Sequence, residues 1–406
     1  MGGFSMTKKL YENNSLLKSC QAVVTACTEK DGKYLVELDQ TVFFPEGGGQ
    51  LSDRGTLGGV KVEHVSEKDG HIYHECIAPL EVGAQVEAVL DWGVRLDRMQ
   101  QHHGEHILAY CFWKLFEANN VGFHMHEDSV FIDLDKDLTE EELLQAEHMA
   151  NEIIWDNRPV TVEYLDSTEA VKLKDKMRKF NEKLTGILRI VSVENADICT
   201  CCGTHPPFTG MVGSVKIIRR EKHKGGCRVE FLCGKRELLD ADMKNSTLLQ
   251  VAQGLSTKPE LVPEYLAKQK ADLLSQIDDL KAKLLAVSEK EFVSACAEAP
   301  ATAAGVKLLA FPMEGCDAKD IKAFLPKAAA LENTISILVA VAPQRISYAV
   351  VLGTATEGDC RAIIKKVNET YGGRGGGKSD CAQGGSDYCA DWKEKLAVVT
   401  EQILKG

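Results

Sequence analysis

Two short motifs of histidine and cysteine constrain the fold of this chain more than any other feature. The segment QQHHGEHIL separates His102 from His106 by four positions. The segment ICTCCGTH separates Cys201 from His205 by the same spacing. On a helix, residues i and i+4 project from one face, so both imidazoles of the first pair can reach one ion. Zinc prefers four nitrogen or sulfur ligands in a tetrahedron. If both pairs bind one zinc ion, the fold must bring a helix and a distant turn together.

The spacing leaves alternatives open at this stage. His103 with His106, at i and i+3, competes for the place of the helical pair. Glu105 directly precedes His106, so the segment does not match the H-E-x-x-H protease signature. Cys199 and Cys202 are then bystanders or groups that contact a ligand without binding metal. By spacing alone, the same residues could also be core histidines and a buried thiol.

The cysteines and the hydropathy pattern indicate where such a protein works. The fourteen cysteines are scattered over 406 residues without a repeating spacing, unlike the disulfide framework of a short secreted domain. No apolar run approaches the ~20 residues of a spanning helix, and the N-terminus lacks the apolar core of a signal peptide. We therefore expect a cytoplasmic protein with reduced thiols and no membrane partner. With 44% hydrophobic residues, the chain is long enough for two or three domains.

Two segments of the chain are basic, although its total charge is negative. The formal net charge of −12 argues against indiscriminate binding to nucleic acid. Two segments are nevertheless basic: Lys216, Arg219, Arg220, Lys222, Lys224, Arg228, Lys235 and Arg236 in the first, and Arg361, Lys365, Lys366, Arg374 and Lys378 in the second. Basic patches on an acidic protein favour a polyanion that is held in one place, and the alternative is a solvated charged face.

The periodicity of the chain predicts an α+β protein in four parts. Residues 1–90 contain short alternating runs broken by Gly and Asp, typical of a small β-barrel or meander. Residues 91–240 hold a helix beginning after Asp91, a second helix over 139–157 that starts with a capping box, and a strand-rich segment over 187–232. Residues 241–300 form a helical linker, and residues 301–406 form an α/β module that ends in a glycine-rich loop and a helix.

The linker carries an apolar stripe with the spacing of a coiled coil. Its members alternate by threes and fours over about three heptads: Leu266, Leu273, Ile277, Leu280, Leu284 and Val287. We expect a helical hairpin or a short coiled coil, which either joins two chains into a homodimer or spaces the two ends of one chain. Alternatively, the stripe packs on the neighbouring domain.

Several motifs together resemble a known family. The segments FFPEGGGQLSDRG, QQHHGEHIL and CCGTHPPFTGMVGSVKI, in this order, resemble the editing domain shared by alanyl-tRNA synthetases and the free-standing AlaX-type alanyl-tRNA editing proteins. The tail GGRGGGKSDCAQGG resembles the DHH-associated C-terminal domain of alanyl-tRNA synthetase, which also follows a helical linker. The resemblance covers nearly the whole chain, as in the long form of the editing protein.

The resemblance implies a ligand set and a fold. It makes His102, His106, Cys201 and His205 the ligands of Zn2+, residues 91–240 a zinc-dependent α/β editing domain, and residues 301–406 a DHH-associated domain that binds tRNA. The helix motif reads HHGEH here, where the family carries small or hydroxyl residues. This departure bears on which amino acid the site accepts.

The resemblance also implies a reaction. A synthetase pocket for alanine rejects serine only weakly, so a second site must hydrolyse the wrong ester. The expected activity is trans-editing of tRNA(Ala) mischarged with Ser, with Gly as a second candidate. Zinc can activate water or orient the substrate. Glu46 and Gln50 in the glycine-rich segment, together with Thr204, are the candidate catalytic contacts, and a plain hairpin turn is the alternative for that segment.

The C-terminal motif is interpreted as a tRNA contact. A GGRGGGK segment can cradle phosphate with its backbone N–H groups, and Arg374 and Lys378 add charge. It lacks the G-K-[ST] order of a P-loop, so nucleic-acid contact is favoured over nucleotide hydrolysis, with a flexible glycine turn as the alternative.

Other classes remain open. Since no segment before the barrel could hold a class II aminoacylation core, we expect no tRNA charging. The alternatives to an editing enzyme are a zinc-stabilised RNA-binding protein without catalysis and a metal hydrolase of small esters or peptides.

Overall fold

The computed structural model describes residues 6–178 and 185–405. The chain divides into two compact units, Met1–Val251 and Ala252–Gly406. The four-part division expected from the sequence is finer than this one and remains a prediction. Within the described ranges, no helix is long and apolar enough to cross a membrane.

The first unit begins with a closed barrel. Its six strands follow the order β2-β3-β7-β6-β5-β8, which is one of the two arrangements that the sequence allowed. In β7, every second residue of HIYHEC is buried, as expected for a strand with one face in a core. The elements of this part are β1 (Lys8–Lys9), α1 (Leu10–Asn13), β2 (Ser19–Lys30), β3 (Lys33–Leu38), β4 (Gln40–Thr41), β5 (Gly55–Leu57), β6 (Val60–Lys68), β7 (His71–Cys76) and β8 (Gln85–Leu90).

A buried helix follows the barrel directly. Helix α2 (Trp92–Phe116) is capped by the side chain of Asp91, which accepts a hydrogen bond from the backbone of Val94. It packs against α3 (Glu140–Trp155), whose capping box pairs Thr139 with Glu142. Both helices share one apolar core with a four-stranded sheet in the order β14-β15-β10-β9. These strands are β9 (Asn120–Met125), β10 (Val130–Leu134), β14 (Val215–His223) and β15 (Gly226–Cys233).

A small antiparallel sheet carries the cysteine motif. It consists of β11 (Val160–Asp166), β12 (Ile187–Val193) and β13 (Ile198–Thr200), with the short helix α4 (Ser167–Ala170) after β11. Strands β12 and β13 pair so that Val191 lies opposite Cys199. The cysteine motif therefore begins in β13, and its residues from Cys201 to His205 lie in the turn directly after that strand. Helix α5 (Gly234–Gly254) follows the last strand of this unit.

The second unit is a five-stranded sheet with helices on both faces. Its strand order is β16-β17-β18-β20-β19, and only the β16–β17 pair is parallel. Separate apolar clusters lie on the two faces. The elements are α6 (Val262–Glu298), β16 (Lys307–Glu314), α7 (Ala318–Ala329), β17 (Thr334–Ala342), β18 (Arg345–Leu352), α8 (Cys360–Tyr371), β19 (Arg374–Gly377), β20 (Cys381–Asp387) and α9 (Trp392–Leu404).

Two features of this unit differ from the sequence-based expectation. The glycine-rich tail is not a loop or a free turn, because it forms the paired strands β19 and β20. Its glycines are required there: a Cβ on Gly375 would lie 2.3 Å from the backbone oxygen of Gln383, and one on Gly377 would lie 2.4 Å from that of Cys381. The apolar stripe lies on the single long helix α6, where its members are exposed to between 36% and 64%.

Candidate metal centre

The four residues that the motifs predicted as ligands meet in space. One potential ligand atom from each of His102, His106, Cys201 and His205 lies within 4.8 Å of all the others. The three histidines are nearly inaccessible to solvent, with exposures of 1%, 6% and 4% in chain order. The His102 Nε2 atom is 3.1 Å from the Cys201 sulfur. Helix α2 and the turn after β13 therefore converge as a shared metal would require.

His103 does not belong to this group. Its Nδ1 atom lies 2.9 Å from Nδ1 of His205, so one of the two imidazoles donates a hydrogen bond to the other. His205 thereby turns its remaining nitrogen, Nε2, away from His103. Of the two helical pairs that the spacing allowed, the geometry favours His102 with His106.

The local electrostatics favour the metal-binding forms of Cys201 and His205. Although burial opposes the thiolate, the imidazoles of His102, His106 and His205 hold the pKa of Cys201 well below its ordinary value. Burial lowers the pKa of His205 to about 3, and it lowers the pKa of His103 well below the ordinary value. His106 differs: burial opposes its charged form, but the thiols of Cys199 and Cys201 and the carboxylate of Asp197 raise its pKa well above the ordinary value, so metal must displace a proton from this imidazole.

Unpartnered imidazole nitrogens are compatible with an ion at this place, but they do not distinguish His205 from His103, whose Nε2 is also buried and without a hydrogen-bond partner among the described residues. Nε2 of His205 is fully buried and has no hydrogen-bond partner among the described residues. A buried polar atom without a partner is costly, so such atoms commonly face an ion or a water molecule. Three imidazoles and one thiolate fit the nitrogen and sulfur preference of Zn2+. The residues present therefore fit zinc.

The glycine-rich segment at 43–55 forms a tight turn beside the cluster. Gly47 and Gln50 pair across the turn, and Gly48 and Gly49 have positive φ angles of 60° and 83°. A Cβ on Gly49 would lie 2.5 Å from the ring of Phe123. The turn therefore needs glycine both for its backbone conformation and for this close approach.

Two of the candidate catalytic contacts join this turn to the ligand turn. The side-chain amide of Gln50 donates to the hydroxyl of Thr204 at 2.8 Å, and the backbone N–H of Thr204 donates to Gln50 Oε1 at 2.9 Å. Both side chains are fully buried. This geometry supports a positioning role, and their catalytic role remains a prediction. Glu46, the third candidate, is half-exposed and lies 3.8 Å from Nδ1 of His64.

A cavity of about 630 Å3 opens onto the cluster. Its lining includes His102, His106 and Cys201. It also includes polar residues that the motif analysis did not select: Glu105, Asn120, Arg178 and Arg189. Glu105 is 4% exposed and accepts a hydrogen bond from the amide of Asn120 at 2.5 Å. The sequence held a signal for Glu105, since it lies three residues after His102 on the same helix, but it held none for Asn120.

A buried charge pair lies behind His106. Asp197 directly precedes β13. Its carboxylate accepts hydrogen bonds from Nδ1 of His106 at 3.3 Å and from Nε of Arg178 at 3.4 Å. Burial alone would raise the pKa of Asp197, but Arg178 and His106 hold it below its ordinary value. The sulfur of Cys199 also lies 3.0 Å from the same imidazole nitrogen.

The two basic segments have different surroundings. In the first, six side chains form ion pairs with carboxylates: Lys216, Arg219, Arg220, Lys222, Arg228 and Arg236. This pairing cancels much of the positive charge that the sequence suggested. In the second, Arg374 and Lys378 flank the glycines of β19, and both are exposed.

Comparison with known proteins shows that nearly the whole chain is similar to an alanyl-tRNA editing protein and to parts of alanine–tRNA ligases. Residues 188–230 match the family model of the threonyl and alanyl tRNA synthetase second additional domain. Residues 7–94 match the family model of the class II (A) tRNA synthetases. The chain is 29% identical to the alanyl-tRNA editing protein AlaX-L of Pyrococcus horikoshii, over 93% of this chain and 94% of that protein.

Alanine–tRNA ligases match along a part of their length. The ligase of Pyrococcus abyssi is 30% identical over 98% of this chain but only 43% of the ligase. The ligase of Thermococcus kodakarensis is 29% identical over 93% of this chain and 41% of the ligase. The chain thus spans less than half the length of these ligases. The solved C-Ala domain of Aquifex aeolicus alanyl-tRNA synthetase matches 26% of this chain and 96% of that domain, with 17% identity and a TM-score of 0.24, which does not establish a shared fold.

Proposed function

We propose, from the premise that this chain is a relative of the AlaX-type alanyl-tRNA editing proteins, that it is a zinc-dependent deacylase of mischarged tRNA(Ala). The observation that carries the proposal is the buried cluster of three histidines and one cysteine at a cavity of about 630 Å3. A cavity of this size is ample for an amino acid esterified to a terminal adenosine. The ester of Ser is the first substrate, and the ester of Gly is the second. A protein with this role works in the cytoplasm.

Each part of the centre has a task in this proposal. When bound, zinc supplies Lewis-acid polarisation of the ester or of water. His102, His106, Cys201 and His205 hold the ion, and the Gln50–Thr204 pair fixes the ligand turn against the glycine turn. Glu105 presents a buried carboxylate to the cavity, where it can bind a cationic or hydroxyl group of the substrate. The DHH-associated module and its exposed Arg374 and Lys378 hold the tRNA.

The direct test is deacylation of three substrates. Ser-tRNA(Ala), Gly-tRNA(Ala) and Ala-tRNA(Ala) are incubated with the protein, and loss of the amino acid is followed over time. We expect the Ser ester to be hydrolysed fastest and the Ala ester to be spared. Zinc content and tRNA affinity without any hydrolysis would instead identify a zinc-stabilised RNA-binding protein. Hydrolysis of small esters alone would identify a general metal hydrolase.

The ligand assignment has its own test. Cys201→Ala should no longer bind zinc, because the ion loses one of its four ligands. Its deacylation rate should fall by at least about 100-fold. Cys111→Ala, a change at a buried cysteine in the apolar core, is the matched control and should keep its zinc. Metal analysis of His102→Ala and His103→Ala should show the larger loss in the first variant. Full zinc occupancy in Cys201→Ala would refute the assignment.

A further inference from the structure

His106 is held from behind by groups that do not belong to the ligand cluster. Its Nδ1 atom is 3.3 Å from a carboxylate oxygen of Asp197 and 3.0 Å from the sulfur of Cys199. A carboxylate in this position accepts the Nδ1–H proton, which leaves Nε2 as the nitrogen that is free to bind metal. The imidazole is 8% exposed and the Asp197 side chain 2%, so this contact is largely shielded from solvent.

Asp197 is itself held by a buried cation. Nε of Arg178 lies 3.4 Å from its second oxygen, and the Arg178 side chain is 8% exposed. Arg178, Asp197 and His106 are thus linked in series: Arg178 contacts one carboxylate oxygen of Asp197, and His106 contacts the other. A buried carboxylate without such a partner would tend to take up a proton or leave its position.

The same atoms could be interpreted as a second metal site. His106, Asp197 and Cys199 also satisfy the distance limit for a shared ion. Two observations oppose that interpretation. The group offers only three side chains and shares His106 with the first cluster. The guanidinium of Arg178 already neutralises Asp197, and its charge repels a cation at this place.

We propose that Asp197, held by Arg178, is a positioning residue that fixes the tautomer and orientation of His106 for metal binding. This inference rests on the zinc centre of the proposed function. It makes the affinity for zinc depend on a residue outside the ligand set, and loss of such an outer partner typically weakens metal binding by about 10- to 100-fold.

The experiment compares two buried aspartates, Asp197 and Asp133, each of which is paired with an arginine. Zinc affinity of the full chain is measured by competition with a chelator for wild type, Asp197→Asn, Asp197→Glu and Asp133→Asn. Asp133 is the matched control, because it is 6% exposed and paired with Arg228 at 2.6 Å, yet it contacts no ligand of the cluster. We expect about 10- to 100-fold weaker binding for Asp197→Asn, a partial return for Asp197→Glu, and wild-type affinity for Asp133→Asn. Affinity of a folded Asp197→Asn within about threefold of wild type would overturn the inference.

A second measurement decides the matter if Asp197→Asn does not fold. In the zinc-loaded wild-type protein, a long-range 1H–15N spectrum reports which imidazole nitrogen of His106 carries the proton. A proton on Nδ1 supports the inference, and a proton on Nε2 contradicts it. If the wild-type chain binds no zinc, the metal centre of the proposed function fails as well. If it binds zinc but spares Ser-tRNA(Ala), only the reaction fails and the inference about Asp197 is still tested.

Discussion

We expect His74 to make the stability of the barrel depend on pH. The side chain is completely buried, where Nδ1 donates to the backbone oxygen of Val36 at 2.9 Å and Nε2 accepts from the hydroxyl of Thr41 at 2.8 Å. Both nitrogens are therefore occupied in the neutral form, and burial lowers the pKa of His74 to about 4. The unfolded chain, with an ordinary pKa near 6.5, binds the proton first as the pH falls.

The free energy of unfolding should consequently decrease with acidification through this window. This group alone should cost about 2 kcal/mol between pH 7 and pH 5. Denaturant titrations of wild type and His74→Gln at both pH values test the expectation. The variant should be less stable at pH 7 but should show a smaller loss at pH 5. Equal losses in both proteins would show that His74 stays neutral in the unfolded state or takes up its proton without unfolding.

Residue by residue, the sequence predicted which four side chains cluster better than it predicted the partners of these side chains, and their role as zinc ligands stays a prediction. His102, His106, Cys201 and His205 could be selected because a fixed spacing on a helix or turn brings such side chains together. Gln50 and Asp197 could not be assigned their contacts, because those depend on how the barrel turn and the β12–β13 hairpin pack against α2. The basic residues of β14 and β15 were misleading for a related reason. Their acidic partners lie far away in the sequence, as Asp133 does from Arg228.

At the scale of single elements, strand β19 is a flat, charged edge. It is the last strand of its sheet, and Gly375 and Gly377 have no room for a side chain. Arg374 and Lys378 therefore flank a row of backbone groups that a phosphate chain can approach closely, since an edge strand leaves N–H groups unpaired. Each basic side chain that neutralises a phosphate adds about one unit to the salt dependence of binding.

The variant Arg374→Ala with Lys378→Ala should weaken tRNA binding and flatten its salt slope by roughly one to two units. KM for the tRNA should rise and kcat should survive, because no residue of the metal centre has changed. Lys319→Ala with Lys322→Ala makes the same change of charge on exposed positions of α7 and serves as the control. Filter binding over a range of salt concentrations measures the tRNA affinity and the salt slope of the two double variants. A double variant that binds normally at all salt concentrations would leave the edge without a role in tRNA binding.

The elements themselves were predictable to different degrees. The barrel strands and helices α2 and α3 follow from alternation, periodicity and caps, which act locally. The hairpin of β19 and β20 does not, because glycine has low strand propensity and only its pairing with β18 makes the segment extended. Strand β11 also escaped notice, since none of its residues is fully buried and it shows no core face.

At the scale of the whole molecule, helix α6 leaves its apolar stripe uncovered. The helix has 37 residues, which corresponds to about 55 Å. Leu273, Ile277 and Leu280 are exposed to 58%, 47% and 64%. An exposed apolar stripe with coiled-coil spacing is typical of an interface. A second copy of the chain supplies an identical stripe, so we expect a homodimer joined through α6.

Light scattering of Leu273→Gln with Leu280→Gln tests this expectation. The wild-type chain of 44.5 kDa should have twice that mass in solution, and the variant should have the mass of one chain. A chain that ends at about residue 255 should also be monomeric, because it lacks α6. Leu238→Gln with Leu239→Gln, which changes two leucines of α5 that are each 57% exposed, is the control and should stay dimeric. If the chain without α6 is still a dimer, α6 does not join two copies, and its length then serves to space the ends of one chain.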